Sequence, residues 1–196
     1  MVRDRGGSGF HSQPMPDVDP AIRWLVAVSL AAVFAGSAIG KLRDLTAFRD
    51  AVENYRIVPR WSAAFVAGII PLAEIAGAIG VLAGPTREVS ALFLLGLLAV
   101  FTAAIGVNLA RGRRDIHCGC FGTALGQRLS GWLLVRNAAL SAFAAVLLLP
   151  AGARRIGVLD VMTILFGAAA LVMLYAALNY LLAQASALRA VEMRHG

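Results

Sequence analysis

Five apolar stretches, each about as long as a bilayer is thick, constrain this chain more than anything else in it. They fall at residues 22–40, 62–83, 89–109, 129–149 and 156–183. A hydrocarbon layer of ~30 Å takes ~20 residues of helix to cross. In lipid every backbone N–H and C=O must find its partner inside the segment, so these stretches are helices rather than strands with open edges. Composition agrees: hydrophobic types make up 59% of the 196 residues and charged types 15%, where a soluble domain carries roughly a quarter charged. So small a globule cannot hide that much apolar surface from water. A water-soluble enzyme and a disordered chain are both excluded, and the sequence predicts an all-α integral membrane bundle.

The intervening residues divide the chain. Residues 1–21 are polar, contain Gly6, Gly7, Gly9, Pro14, Pro16 and Pro20, and read as a flexible tail. They do not read as a signal peptide, because the apolar run starts late and continues to Gly40. Gly84 with Pro85 and Pro150 with Gly152 mark two turns. Residues 22–150 form the main membrane domain, and residues 151–196 add a fifth span and a short tail. Within the domain, residues 42–57 form an amphipathic helix at the interface, with Leu42, Leu45, Phe48, Val52 and Tyr55 on one face; Pro59 is expected to end it.

The net charge of +7 is unevenly placed. With five spans, one face receives loops 41–61 and 110–128 and the C-terminal tail, carrying eleven basic residues against six on the other. The positive-inside rule then sets loop 110–128 in the cytoplasm and makes the chain a multi-pass protein of the bacterial cytoplasmic membrane. Basic residues in short membrane loops account for the charge without nucleic acid.

That loop holds the only two cysteines, in the run His117-Cys118-Gly119-Cys120-Phe121-Gly122. Two thiols are too few for an all-cysteine zinc site. Separated by one glycine, they can exchange electrons with a partner disulfide, and a bridge between them would be strained and therefore oxidising and labile. Arg113, Arg114 and a protonated His117 favour the thiolate. Two other readings fit the same residues: a pair of inert buried thiols, or a metal held together with His117.

Charges inside spans are costly and so are paired or functional. Glu74 lies about twelve residues into the second span and Arg136 about seven into the fourth. At ~1.5 Å per residue their depths differ by about an arginine's reach, so a pair between them is expected. Lys41, Asn108 and Asn137 belong to the same half of the bundle. This cluster of Lys41, Glu74, Asn108, Arg136 and Asn137 is either a buried ion network that fixes helix register, or a pocket for a quinone head group or a proton path serving the dithiol. Asp160 reads as a charge at the start of the last span, and Asn179 carries no assigned role.

These residues carry a resemblance. Phe34-Ala35-Gly36-Ser37-Ala38-Ile39-Gly40-Lys41-Leu42, then Tyr55-Arg56-Ile57-Val58-Pro59, Pro71-Leu72-Ala73-Glu74, Phe101 to Asn108, Cys118-Gly119-Cys120-Phe121-Gly122 and Arg136-Asn137 together resemble the methylamine utilisation protein MauE family, among the DoxX-like membrane proteins. The likeness runs from about residue 24 to 150. It implies a four-helix DoxX-like core, followed here by a fifth C-terminal transmembrane helix. It also implies that Cys118 and Cys120 form the thiol carrier of a possible thiol–disulfide oxidoreductase component, in which His117 and the nearby arginines would tune the thiolate. Such a component would help to mature the disulfide-rich methylamine dehydrogenase small subunit together with a thioredoxin-like MauD-type partner. A non-catalytic scaffold subunit and a quinone-linked oxidoreductase subunit are the alternatives.

Overall fold

The computed structural model describes residues 17–113 and 129–195, with side chains placed through residue 185. Among these residues the chain is helical, apart from turns and one isolated bridge between Val18 and Ala151.

Helix α1 spans Pro20–Arg43. Asp19 caps it, its Oδ1 accepting from the Ala21 N–H at 2.8 Å, and Pro20 occupies the first turn, where a missing N–H costs nothing. Asp44 breaks the helix and caps the next one, accepting from Ala47 N–H at 3.0 Å. That amphipathic helix, α2, is Leu45–Tyr55, shorter than the expected 42–57. Leu42 still belongs to α1, and Arg56 stops α2 in the left-handed conformation (φ 49°). Pro59 does not end α2 as expected; it precedes α3, Arg60–Leu82, and its carbonyl accepts from Ser62 N–H at 3.0 Å. A 3₁₀ turn, Gly84–Thr86, leads into α4, Arg87–Ala110. Helices α5, Gly131–Val146, and α6, Val158–His195, complete the fold.

Among the described residues four segments are long and apolar enough to cross a membrane: Pro20–Arg43, Arg60–Leu82, Gly84–Ala110 and Val158–Ala185. The fourth expected span, 129–149, is helical over only 16 residues. Ser130 is extended, and ahead of Pro150 the chain tightens into i→i−3 bonds, Leu148 N–H to Ala145 and Leu149 N–H to Val146. A proline disfavours helix in the residue before it, which accounts for the early stop. The segment nevertheless runs from one end of the bundle to the other. Leu129 and Leu133 pack with Ile105, Leu109 and Tyr55 at the end carrying the cysteine loop. The Leu147 carbonyl accepts from Arg23 Nη2 at 2.7 Å at the opposite end. There Val18 N–H also donates to the Pro150 carbonyl at 2.9 Å.

Helix α1 is central, packing on α3, α5 and α6, while α4 closes the ring between α3 and α5 and α2 folds over α3. The core is Val26, Ala27, Leu30 and Phe34 of α1 against Ala78 and Val81 of α3, Leu94 and Leu98 of α4, and Ala144 and Leu147 of the α5 segment. Small residues set the spacing: a side chain on Gly77 of α3 would collide with Leu94. Large apolar side chains point outward instead, Trp61 at 85% and Phe166 at 72% exposure among them. Such a distribution suits lipid as solvent, and the chain is an integral membrane helical bundle.

Candidate functional site

The centre of the bundle is polar. Lys41, in the last turn of α1, is 2% exposed, and Glu74, midway along α3, is 1% exposed. The Lys41 ammonium donates to Glu74 Oε1 and, at 2.8 Å, to Ser37 Oγ one turn back on its own helix. Ser37 Oγ in turn donates to Glu74 Oε1 at 3.2 Å. Phe48 of α2 and Phe101 of α4 flank the ammonium, their ring centres 5.5 and 5.2 Å away. Glu74 Oε2 is buried with no hydrogen-bond partner among the described residues. Two bare ions in such a setting would each cost several kcal/mol to desolvate; mutual attraction, Ser37 and the aromatic faces offset that cost.

Beside this pair lies a cavity of about 30 Å³, lined by Ser37, Lys41, Glu74, Arg136, Asn137 and Tyr175 among others. A polar space of that size can hold one water molecule, and a water there could supply the missing donor to Glu74 Oε2. Arg136 of α5 is buried, and its Nη1 donates to Asn179 Oδ1 of α6 at 3.4 Å. Asn179 is anchored by its own Nδ2 on the Tyr175 carbonyl, 2.7 Å away. Asn137 donates to Thr102 Oγ1 of α4 at 3.2 Å. Asn108, fully buried near the end of α4, donates back to the Ala104 carbonyl at 3.0 Å and accepts from Arg113 Nη1 at 3.4 Å.

Lys41, Glu74, Arg136 and Asn137, four of the five intramembrane residues expected to cluster, thus line one cavity, and Asn108 stands above it at the end of α4. The salt bridge to Glu74 comes from Lys41, a residue the sequence set only at the edge of its span; Arg136 faces the same cavity and reaches across to α6. Sequence reasoning missed Ser37, Thr102, Tyr175 and Asn179. Ser37 was findable, four residues before Lys41 and so on the same helix face. Asn179 carried a signal too, a side-chain amide in the middle of an apolar span.

Cys118, Cys120 and His117 lie outside the described residues. The shoulders of their loop are within them. After α4, Gly112 turns the chain with φ 71°, and Arg113 N–H closes on the Asn108 carbonyl at 3.0 Å. Arg111 reaches the Arg56 carbonyl at 3.5 Å, tying this shoulder to the end of α2. On the far side Leu129 is buried against Ile105. Both shoulders therefore rest on the end of the bundle nearest Lys41.

The sequence model of the family described as "Methylamine utilisation protein MauE" matches residues 19–150. The chain belongs to the MauE family. It is 39% identical over 159 residues to the methylamine utilization protein MauE of Paracoccus versutus, covering 80% of this chain and 85% of that one. It is 41% identical over 159 residues to the MauE protein of Methylorubrum extorquens, covering 80% and 84%. With the Paracoccus denitrificans MauE protein it shares 37% identity over 127 residues, 65% of this chain and 68% of that one. No solved structure matches. The MauE match takes in α1 to α5 and the cysteine loop, and stops before α6.

Proposed function

We propose that this MauE-family chain serves methylamine utilisation as a membrane-embedded thiol–disulfide helper, with Cys118 and Cys120 as its redox pair. The carrying observation is the placement of the thiol loop's shoulders. Arg113 and Leu129, the described residues on either side of that loop, both rest on the end of the bundle nearest Lys41, and Arg113 brings a guanidinium there. Cationic neighbours favour thiolate, the reactive form. In the exchange, a thiolate of a thioredoxin-like MauD-type partner attacks the Cys118–Cys120 bridge and displaces one sulfur. The partner's second thiolate then attacks the mixed disulfide. The partner leaves oxidised, and Cys118 and Cys120 keep the two electrons and take up the two protons. The disulfide-rich client is the methylamine dehydrogenase small subunit, and a quinone in the bilayer is the candidate acceptor that reoxidises the pair. The distribution of basic residues supports a cytoplasmic-membrane location with the loop on the cytoplasmic side.

Trapping tests this reading. With Cys120→Ser, the protein should accumulate a reductant-sensitive mixed disulfide through Cys118 in cells that express the partner. If a Cys118→Ser/Cys120→Ser chain instead supported full growth on methylamine, the thiol reading would be overturned in favour of a scaffold subunit. Thiol labelling from each side of intact cells tests the orientation.

A further inference from the structure

Lys41 and Phe101 line not only the small cavity but also a second, larger chamber of about 130 Å³. Helix α2 roofs it with Phe48 and Ala51, α3 supplies Val66 and Ile70, and α4 supplies Phe101 and Ala104. Lys41 and Tyr55 are its only polar side chains among the described residues, and the rest of its lining is apolar. An apolar cavity of roughly 150 Å³ takes up a benzene-sized ring, so this one is ring-sized.

The polar end of the chamber has a defined chemistry. An ammonium has three N–H donors. Ser37 and Glu74 take two of those of Lys41, and among the described residues no hydrogen-bond acceptor takes the third. The third is left on the side of the Phe48 and Phe101 rings, which line the chamber. A ligand beside Lys41 meets its third N–H, so it needs an acceptor there. Glu74 already balances the charge of Lys41, and Arg136, the other buried cation of the cluster, does not line this chamber, so an anion here would have no counter-charge on its walls, at a cost of several kcal/mol. The acceptor is therefore neutral.

We propose that this chamber binds a single-ring apolar molecule bearing one neutral acceptor oxygen, a carbonyl or a phenolic hydroxyl, which takes the third Lys41 N–H while Phe48 and Phe101 flank the ring. The site stands apart from the thiol loop and does not depend on the redox reading. Its cover is the short helix α2, held between the Asp44 cap and the left-handed Arg56.

Fluorine NMR titration of the purified protein in detergent tests it, with 4-fluoroacetophenone and fluorobenzene as probes. The carbonyl probe should bind saturably and at least about tenfold tighter than fluorobenzene, the preference expected of one hydrogen bond from a charged donor. Ala104→Leu or Ala51→Val, each narrowing the chamber, should weaken both probes in protein whose circular dichroism and thermal midpoint remain those of a folded chain. The Lys41→Met/Glu74→Gln protein, which keeps the chamber and loses the donor without stranding a charge, should bind the two probes equally. Absence of saturable binding overturns the proposal, as does equal affinity for the two probes in the unaltered protein. Undiminished binding in both folded narrowed variants does the same, since it means partition into detergent.

Discussion

Two ion clusters in this molecule use the same chemistry in opposite surroundings. Deep in the bundle Lys41 meets Glu74, both almost wholly buried. At the far end Arg154 grips two carboxylates with better geometry, reaching Asp19 at 3.0 and 3.1 Å and Asp160 at 2.9 Å through two nitrogens. Yet the Arg154 side chain is half exposed, at 49%. Geometry alone would rank the outer cluster first. Environment reverses the order, because the charges of the outer cluster keep bulk water and salt as substitutes when a partner is lost, whereas Glu74, 1% exposed, is cut off from bulk solvent. The inner pair is the one whose disruption the fold cannot absorb.

Breaking the inner pair on one side should have the largest effect. Lys41→Met leaves a buried carboxylate with no cation on its Oε1 and should cost about 3–5 kcal/mol, read as a fall in the unfolding midpoint of the purified protein. Lys41→Met/Glu74→Gln removes both charges and should recover most of that loss. If the double variant is no more stable than the single one, the cost lies in packing rather than in a stranded charge.

Arg136→Leu should cost less, about 1–3 kcal/mol, because the guanidinium works through a hydrogen bond to Asn179 on another helix rather than as the direct partner of Glu74. The same unfolding assay ranks it; a loss equal to that of Lys41→Met would mean that Glu74 depends on both cations alike.

The outer cluster should give the smallest change. Arg154→Ala should lower the midpoint slightly at low salt and not at ~1 M, where the screening length falls to ~3 Å. It should also change the response to acid. The Arg154 guanidinium, followed by the Ala21 N–H, holds the Asp19 carboxyl below its ordinary range. A carboxylate lowered by folding stabilises above its unfolded pKa of about 3.9 and loses that contribution as pH falls through the folded value. The gap between native protein and Arg154→Ala should therefore be steady at neutral pH and close below about pH 4. A gap that persists in acid would show that Arg154 acts by packing.

Much of the architecture was legible in the sequence, for a reason specific to membranes. A chain in lipid must satisfy its backbone helically, so runs of twenty apolar residues announce themselves. The 22–40 and 62–83 stretches became α1 and α3 within a few residues. Ends were less legible where local chemistry decides them. Arg56 stops α2 by adopting a conformation that glycine usually supplies, and no rule for Pro59 could anticipate that. The fourth span lost helix at both ends to the extended Ser130 and to the turn before Pro150. Depth along the spans is what grouped the polar residues in the sequence, and Lys41, Glu74, Arg136 and Asn137 line one cavity. Their contacts were not legible in the same way: depth is a single coordinate, and pairing also needs the rotation of each helix about its own axis. By residue count Lys41, just past the 22–40 stretch, and Glu74, twelve residues into the 62–83 stretch, differ in depth by about three turns, more than a lysine stem reaches; the offset of α1 against α3 in the packed bundle brings them together.

By itself the sequence determined the solvent and the helical class, because those follow from the cost of taking polar groups into hydrocarbon. Only the tertiary structure decided that Lys41 answers Glu74, that Arg136 reaches Asn179 on the last helix, and that a ring-sized chamber opens beneath α2. Those depend on which faces the packed helices turn towards one another. Side-chain fit between α1, α3, α4 and α5 settles that choice, and no single segment carries it.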